Sequence, residues 1–391
     1  MHSSRSPRAL VPNSESPASR SAAEEAAVLI ENEEMLLGQA PPGPSRVLMV
    51  ATDFTTPYRV LRCARASGAE VYVLGHSGAR LLRYSRYCAR FFVSDCIIHG
   101  GRDEALALEI NCLTREHGIT VVVPVDAPAT RALIANRDLI EAPCFPLPGL
   151  DQFDALNNKW TFSQLCKELA IRQPVTRLLP DAATLAHQIA LGVIDYPLIA
   201  KPLGRSASGG VVILDGVDSE RRLASINYKP VLVQKFVPGE DIGASVYAKA
   251  GKIEAFVAHW YRRGIYGTFH DAQIYSDIAK IMSRFDLDGV YNFDMILAAD
   301  GSIYYLECNP RFFFKINLSM IAGINFVERG IPGAEIQGTG SIESGVQVRF
   351  PKALLRSLVS SGRCTKRDWA MLGYLFSDPW PFLMEKIKLT L

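Results

Sequence analysis

The sequence predicts an α/β chain, with a Rossmann-like layer near its N-terminal end and α+β material after it. Two observations carry this. Between residues 46 and 124, short apolar runs alternate with helical stretches, the pattern of strands that pair in parallel through helical crossovers. Between residues 196 and 311, strand-like runs dominate and end in two alternating arms joined by Asp300-Gly301, a strong short-range hairpin signal. A chain of 391 residues with 48% hydrophobic and 21% charged residues has the composition of ordinary globular domains, enough for two or three cores.

The bulk numbers also exclude some function classes. A net charge of +2 with no long Lys/Arg run argues against a dedicated nucleic-acid surface. The eight cysteines are scattered, with no Cys-x-x-Cys pair, so neither a zinc site nor a disulfide framework is indicated. No run of 18 apolar residues is present and the N-terminus lacks the order of a secretory signal, so a cytoplasmic location is expected.

Taken in order, residues 1–44 are rich in Ser, Pro, Ala and Glu and are expected to be disordered, apart from a short helix around 22–37. Strands are predicted at Arg46–Val50, Glu70–Gly75 and Ile119–Pro124, with helices from Pro57 to Ser67 and from Ala105 to His117. No Gly-x-Gly-x-x-Gly follows the first strand, so this layer is read as structural or substrate-side rather than dinucleotide-binding. Pro143, Pro146, Pro148 and Gly149 mark a linker. A helix from Trp160 to Leu169 follows Lys159, a cation in an unfavourable place against the helix dipole that could instead reach an anion held nearby.

Tyr196–Lys201 is a short strand ending in a lysine, and Val211–Leu214 resumes a strand after a loop of Gly and small residues from Gly204 to Gly210. Such a loop can offer consecutive backbone N–H groups to phosphate oxygens, and the lysine beside it strengthens that reading. Val231–Val237, Ile242–Ala248 and Ile253–Trp260 are the next strands, the last two turned at Ala250-Gly251. The polar, aromatic stretch 259–271, with Gly264 and Gly267, is expected to be mobile, and Ile278, Ile281, Met282 and Phe285 give one amphipathic helix.

The hairpin is the most informative element. With Asp300-Gly301 as a two-residue loop, Ala299 faces Ser302, Asp294 faces Glu307 and Asn292 faces Asn309, all four of the latter on one face of the sheet. Directly opposed carboxylates repel, so a cation is expected between them. Carboxylates with an Asn carbonyl are the hard oxygen donors that hold magnesium together with nucleotide phosphates. Beyond Arg311 lie three phenylalanines, a helix Ile316–Ile324 and a tail ending in Leu383–Leu391, whose packing on the body is preferred to a membrane contact.

In this order, over roughly residues 46–330, these stretches resemble the ATP-grasp superfamily of carboxylate-amine ligases, most specifically in Glu307-Cys308-Asn309-Pro310-Arg311. The resemblance implies a disordered extension (1–44), a Rossmann-like domain (45–149), a two-lobed ATP-grasp domain (150–332, lobes about 150–230 and 231–332) and a C-terminal extension (333–391). It implies that Lys159 and Lys201 hold the α- and β-phosphates of ATP, under a loop including Gly204, Ser206, Ser208, Gly209 and Gly210. Gln234, Lys235, Phe236 and Val237 would form the adenine strand and Glu240 would take the ribose. Asp294, Glu307 and Asn309 would bind two magnesium ions, with manganese as a substitute, and Arg311 and Lys201 would be catalytic.

Two departures stand out: Gln234, where many members have Glu, and Phe312-Phe313-Phe314, where small residues often follow the Arg. The implied activity couples a small-molecule carboxylate to an amine with release of ADP and phosphate, and a homodimer is compatible with it. The alternatives are a kinase using His259, His270 or Asp271 as general base, and a nucleotide-binding scaffold without turnover.

Overall fold

The computed structural model describes residues 44–99, 101–203, 209–336, 338–361, 363–381, 383–384 and 387. The expected disordered extension, apart from Pro44, lies outside these residues, as do Gly204 to Ser208 and most of the terminal segment.

The first layer contains β1 (Arg46–Ala51), α1 (Thr55–Ala66), β2 (Glu70–Gly75), β3 (Cys88–Val93), α2 (Glu104–His117), β4 (Val121–Pro124) and α3 (Ala127–Ala135). All pairings are parallel, in the order β3-β2-β1-β4. The central strands are buried on both faces, which is why β1 and β4 read as unbroken apolar runs. Strand β3 escapes sequence reading because it is an edge with two exposed positions in its middle, and Arg90 interrupts its apolar run. Asp126 caps α3 by accepting from Ala129 N (3.1 Å) and also accepts from Asp53 N (3.3 Å), tying together the loops at the carboxyl ends of β1 and β4.

The second layer follows α4 (Leu150–Asn157) and α5 (Lys159–Glu168). It contains β5 (Thr176–Leu179), α6 (Ala182–Ala190), β6 (Leu198–Lys201), β7 (Val212–Leu214), α7 (Ser219–Ala224) and β8 (Val231–Lys235), an antiparallel sheet in the order β5-β8-β6-β7. The third is a six-stranded antiparallel sheet, β13-β12-β9-β10-β11-β14. Its parts are β9 (Gly239–Lys249), β10 (Lys252–Arg262), β11 (Ile265–Phe269), α8 (Ala272–Arg284), β12 (Gly289–Ala298), β13 (Ile303–Asn309), α9 (Ile316–Ala322) and β14 (Gln347–Arg349). Helix α8 buries Ile278, Ile281 and Met282 of the stripe visible in the sequence, together with Ile274, in one core with the inner side chains of β9 and β12, while Phe285 lies just past the helix and is partly buried. The stretch read as a C-terminal extension thus contributes a strand, too short for its alternation to show, before α10 (Pro351–Ser361) and α11 (Lys366–Phe376).

The hairpin register is right where it matters and wrong at its tip. Asp294 pairs with Glu307 and Asn292 with Asn309, but Leu297 pairs with Ile303, so the loop has three residues, Ala299-Asp300-Gly301, not two. Ala298 N–H donates to the Ser302 carbonyl (2.9 Å) and Gly301 takes φ +80°, the turn-plus-left-handed-residue arrangement of three-residue hairpins. A bulge at Leu306 then inserts the residue that restores the expected pairing. Two opposite one-residue shifts cancel.

The expectation of mobility in 259–271 is corrected. Residues 265–269 form β11, hydrogen-bonded between β10 and β14, and Tyr266 is completely buried. Arg263 and Gly264 both have positive φ (+49° and +80°), so Gly264 serves a two-residue hairpin turn. Gly267 has no room for a side chain: a Cβ there would lie 2.2 Å from the Trp260 ring. These glycines mark tight packing.

Candidate active site

Two cavities meet at the hairpin. The first, about 640 Å³, lies between the second and third sheets and is lined by Lys159, Lys201, Gln234, Asp241, Asp294 and Glu307 among others. The second, about 680 Å³, lies between the hairpin and the loops at the carboxyl ends of β1 and β4, with Asp53, Asn309, Arg311 and Phe313 on its walls. Asp294, Glu307 and Lys315 line both.

The carboxylate pair is held by amides and a cation. Asn292 Nδ2 donates to Asp294 Oδ1 (3.1 Å) and Asn309 Nδ2 donates to Asp294 Oδ2 (3.2 Å). Lys159 Nζ lies 3.0 Å from Glu307 Oε2, which explains a lysine at the start of α5: its partner sits on β13. Burial, then the charge of Glu307, pushes Asp294 up to about 7. Burial alone would raise Glu307 too, but Lys159, the hydrogen bond with Asp294 and the charge of Lys201 together outweigh it and hold that carboxyl below its ordinary range. Lys201 is 8% exposed, and burial followed by the charge of Lys159 lowers its pKa against the pull of Glu307. No group of three or more His, Cys, Asp or Glu is placed to hold a metal ion among the described residues. The donor set is therefore two carboxylates and an amide, which suits an ion completing its shell with phosphate oxygens and water. As placed, Asn309 points its NH₂ at the carboxylates and its Oδ1 accepts from Arg311 Nη2 (2.9 Å). Ligating a cation requires that amide to turn over, releasing Arg311 Nη2 while Nη1 stays on the Phe312 carbonyl.

Behind the pair runs a buried polar row. Ser245 Oγ donates to Asn292 Oδ1 (3.0 Å), and His259 Nε2 lies 3.2 Å from the same hydroxyl. His259 is fully buried, and burial, then the charge of Lys315, brings its pKa down to about 3. It lines neither cavity. His270 and Asp271 line a separate groove of about 530 Å³, and Asp271 caps α8 by accepting from Ile274 N (2.9 Å). The kinase reading thus loses the three bases proposed for it.

In the first cavity, Gln234, Lys235, Phe236, Val237 and Gly209 are on the wall. Gln234 donates Nε2 to Thr176 Oγ1 (3.1 Å), while its buried Oε1 has no partner among the described residues, an acceptor open to an amino group. Lys235 N–H is committed to the Val175 carbonyl (2.9 Å) and its ammonium to the Tyr196 carbonyl (3.2 Å), so its own carbonyl is the group to consider there. Gly210 takes φ +82° and is not on the wall, while Gly204, Ser206 and Ser208 lie outside the described residues. Glu240 is a correction. It pairs across the sheet with Leu297 and bonds Arg262, whereas Asp241 pairs with Ile296, two residues along from Asp294, and lines the cavity. Period-two alternation puts adjacent residues on opposite faces, so a choice off by one is off by a whole face.

Of the three phenylalanines, Phe312 turns into the core against Phe145 (5.0 Å), while Phe313 and Phe314 line the second cavity. Phe314 lies under the Arg59 guanidinium (3.6 Å). Sequence reading passed over Lys315, Asp241 and Asp53; only Lys315 had a local signal, a lone cation following an aromatic run.

Comparison with known proteins fits this geometry. Residues 227–350 match the family described as ATP-grasp in the biosynthetic pathway with Ter operon. Over 74% of each chain, the fold superposes on an L-amino acid ligase from Bacillus licheniformis with a TM-score of 0.55 and 16% identity. A Staphylococcus aureus N5-carboxyaminoimidazole synthetase complexed with ADP matches over 78% of this chain and 82% of that one, with a TM-score of 0.59 and 14% identity. The chain has the ATP-grasp fold. The expected α/β class and ATP-grasp resemblance therefore hold. A further likeness is by sequence: 26% identity over 188 residues to the arginine-specific large chain of carbamoyl phosphate synthase from Geobacillus stearothermophilus. That match covers 42% of this chain and 17% of the synthase, so the chain spans about a sixth of that relative's length.

Proposed function

We propose that this protein is an ATP-dependent, cytoplasmic ligase that activates a small-molecule carboxylate as an acyl phosphate and couples it to an amine. The observation that carries this reading is the Asp294–Glu307 pair on the shared wall of two cavities of similar size. A γ-phosphoryl group held there faces a nucleotide on one side and an acceptor on the other.

In this reading the Gln234 Oε1 and the Lys235 carbonyl accept from the adenine amino group, and the Val237 backbone completes that edge. Asp241 takes the ribose hydroxyls, and Lys159 and Lys201 neutralise the α- and β-phosphates with the help of the Gly204–Gly210 loop. Asp294, Glu307 and a turned Asn309 would hold magnesium (two ions, or manganese), which would screen phosphate charge and orient the transfer. The acceptor carboxylate lies against Arg311 and Lys315, attacks the γ-phosphorus, and the bond to the ADP oxygen breaks. The amine then attacks the acyl carbon, phosphate departs, and the amine proton is lost to solvent. Phe313 and Phe314 limit water around the acyl phosphate. A carboxylate acceptor is ionised at neutral pH and needs no general base, in keeping with the burial of His259 away from both cavities.

A screen of carboxylates and amines for ADP release tests the reading: release should require both ATP and an acid, whereas a scaffold releases none. Two further outcomes are expected. Saturating Mg-ATP should raise the melting temperature, by the equivalent of about 2.7 kcal/mol at a hundredfold excess over Kd. ATP with a chelator should do much less, because the carboxylate repulsion is then unrelieved. Asp241→Asn should weaken nucleotide binding about tenfold, measured by calorimetric titration, while Glu240→Gln should leave it within twofold; the reverse order would restore Glu240 to the ribose.

A further inference from the structure

We propose that the outer face of the C-terminal helices α10 and α11 is a docking surface for an anionic lipid bilayer. This inference is independent of the ligase reading. Both helices are apolar on two sides. Their inner sides bury Leu354, Met371 and Tyr374, which settle them on the body. Their outer sides expose Val359 (83%), Trp369 (64%) and Phe376 (77%), and Leu355 and Trp380 are also largely exposed. Leu355 and Val359 are four residues apart on α10, and Trp369 and Phe376 seven apart on α11, so each pair shares one helix face. A helix with large apolar side chains on a second, outer face calls for a second cover.

The charge that residues 351–381 themselves expose has one sign among the described residues. Lys352, Arg356, Arg363 and Lys366 are exposed and Arg367 half-buried. Both acids of 351–381 are turned inward. Asp368 accepts from Arg349 Nη1 (2.7 Å) and caps α11 through Thr365, and Asp378 accepts from Arg86 N (3.0 Å) and from Ser85. Residues 351–391 hold seven Lys or Arg against three Asp or Glu, in a chain whose overall net charge is only +2. Exposed Trp and Phe among Lys and Arg fit the headgroup zone of a bilayer, where the rings enter the interface and the cations meet lipid phosphates.

Two other occupants fit less well. In a symmetric dimer built on this face, the same cations would confront one another. A partner peptide or helix takes a groove, and these side chains line none of the cavities described above. No helix among the described residues is long and apolar enough to cross a membrane, so the contact proposed is peripheral.

Co-sedimentation of the full-length protein with vesicles tests this. It should bind phosphatidylcholine vesicles containing phosphatidylglycerol about tenfold or more tightly than phosphatidylcholine alone, and binding should fall with added salt. Trp369→Ser with Phe376→Ser should weaken binding at least about tenfold. Lys352→Glu with Lys366→Glu, a pair of exposed positions whose change leaves the inner face intact, should do the same while the thermal melt is unchanged. Absence of sedimentation with either vesicle, equal binding to both, or binding indifferent to the charge-reversed pair would overturn the proposal. So would a dimer in sedimentation velocity that the Trp369/Phe376 variant abolishes.

Discussion

Replacing Glu307 by Gln is expected to lower acid-dependent ADP release by about 10²–10³-fold while the protein folds as before. Glu307 faces both cavities, opposes Asp294 across the hairpin and binds Lys159 at 3.0 Å. A neutral amide there loses a charged metal ligand and leaves Lys159 without its carboxylate, so charge developing on the transferred phosphoryl group meets a weaker field. On folding, two effects oppose each other: the repulsion of Asp294 is removed, and so is the attraction of Lys159. The melting temperature should therefore shift by only a few degrees, roughly the size of a 1 kcal/mol change. The magnesium-dependent part of the stabilisation by ATP should disappear. Wild-type rates in a folded Glu307→Gln protein would remove the metal assignment. Lys201→Ala differs in kind, because its loss should appear first in nucleotide affinity.

Arg311→Ala should cost more in turnover than in nucleotide binding, by about 10³–10⁵-fold if it acts on the phosphoryl group in flight. Its Nη1 donates to the Phe312 carbonyl (3.0 Å), its Nη2 to Asn309, and its buried Nε has no partner among the described residues. A buried unsatisfied donor beside the carboxylate pair is costly to maintain without a ligand to receive it. Arg311→Lys keeps the charge and loses the planar fork, so it should recover only part of the rate. Single-turnover ADP formation, compared with nucleotide affinity by titration, separates the two effects. An equal loss in both would make Arg311 a binding residue.

The sequence made the fold class legible because β1, β2 and β4 are buried strands and because the hairpin arms alternate cleanly. It placed Asp294 opposite Glu307 although the loop length was misjudged, since the bulge at Leu306 compensates for the longer turn. What it could not show depends on neighbours distant in sequence. Gly264 and Gly267 look like hinge residues until β14 and Trp260 are seen against them. His259 looks like a base until its burial beside Ser245 and Tyr266 is known. Glu240 and Asp241 differ by one position, and only the pairing of β9 with β12 decides which of them shares a face with Asp294. The second cavity takes Asp53 and Asp126 from the first layer and Arg311, Phe313, Phe314 and Lys315 from the third, an assembly that no local motif encodes.

Nucleotide analysis with hydroxylamine as the amine tests the central claim most directly. In the presence of magnesium, ATP and the acid found by the screen, ADP and phosphate should accumulate together with a hydroxamate of that acid. AMP and pyrophosphate in their place would contradict transfer of the γ-phosphoryl group at the Asp294–Glu307 pair, and a stable phosphate ester would show a hydroxyl acceptor instead.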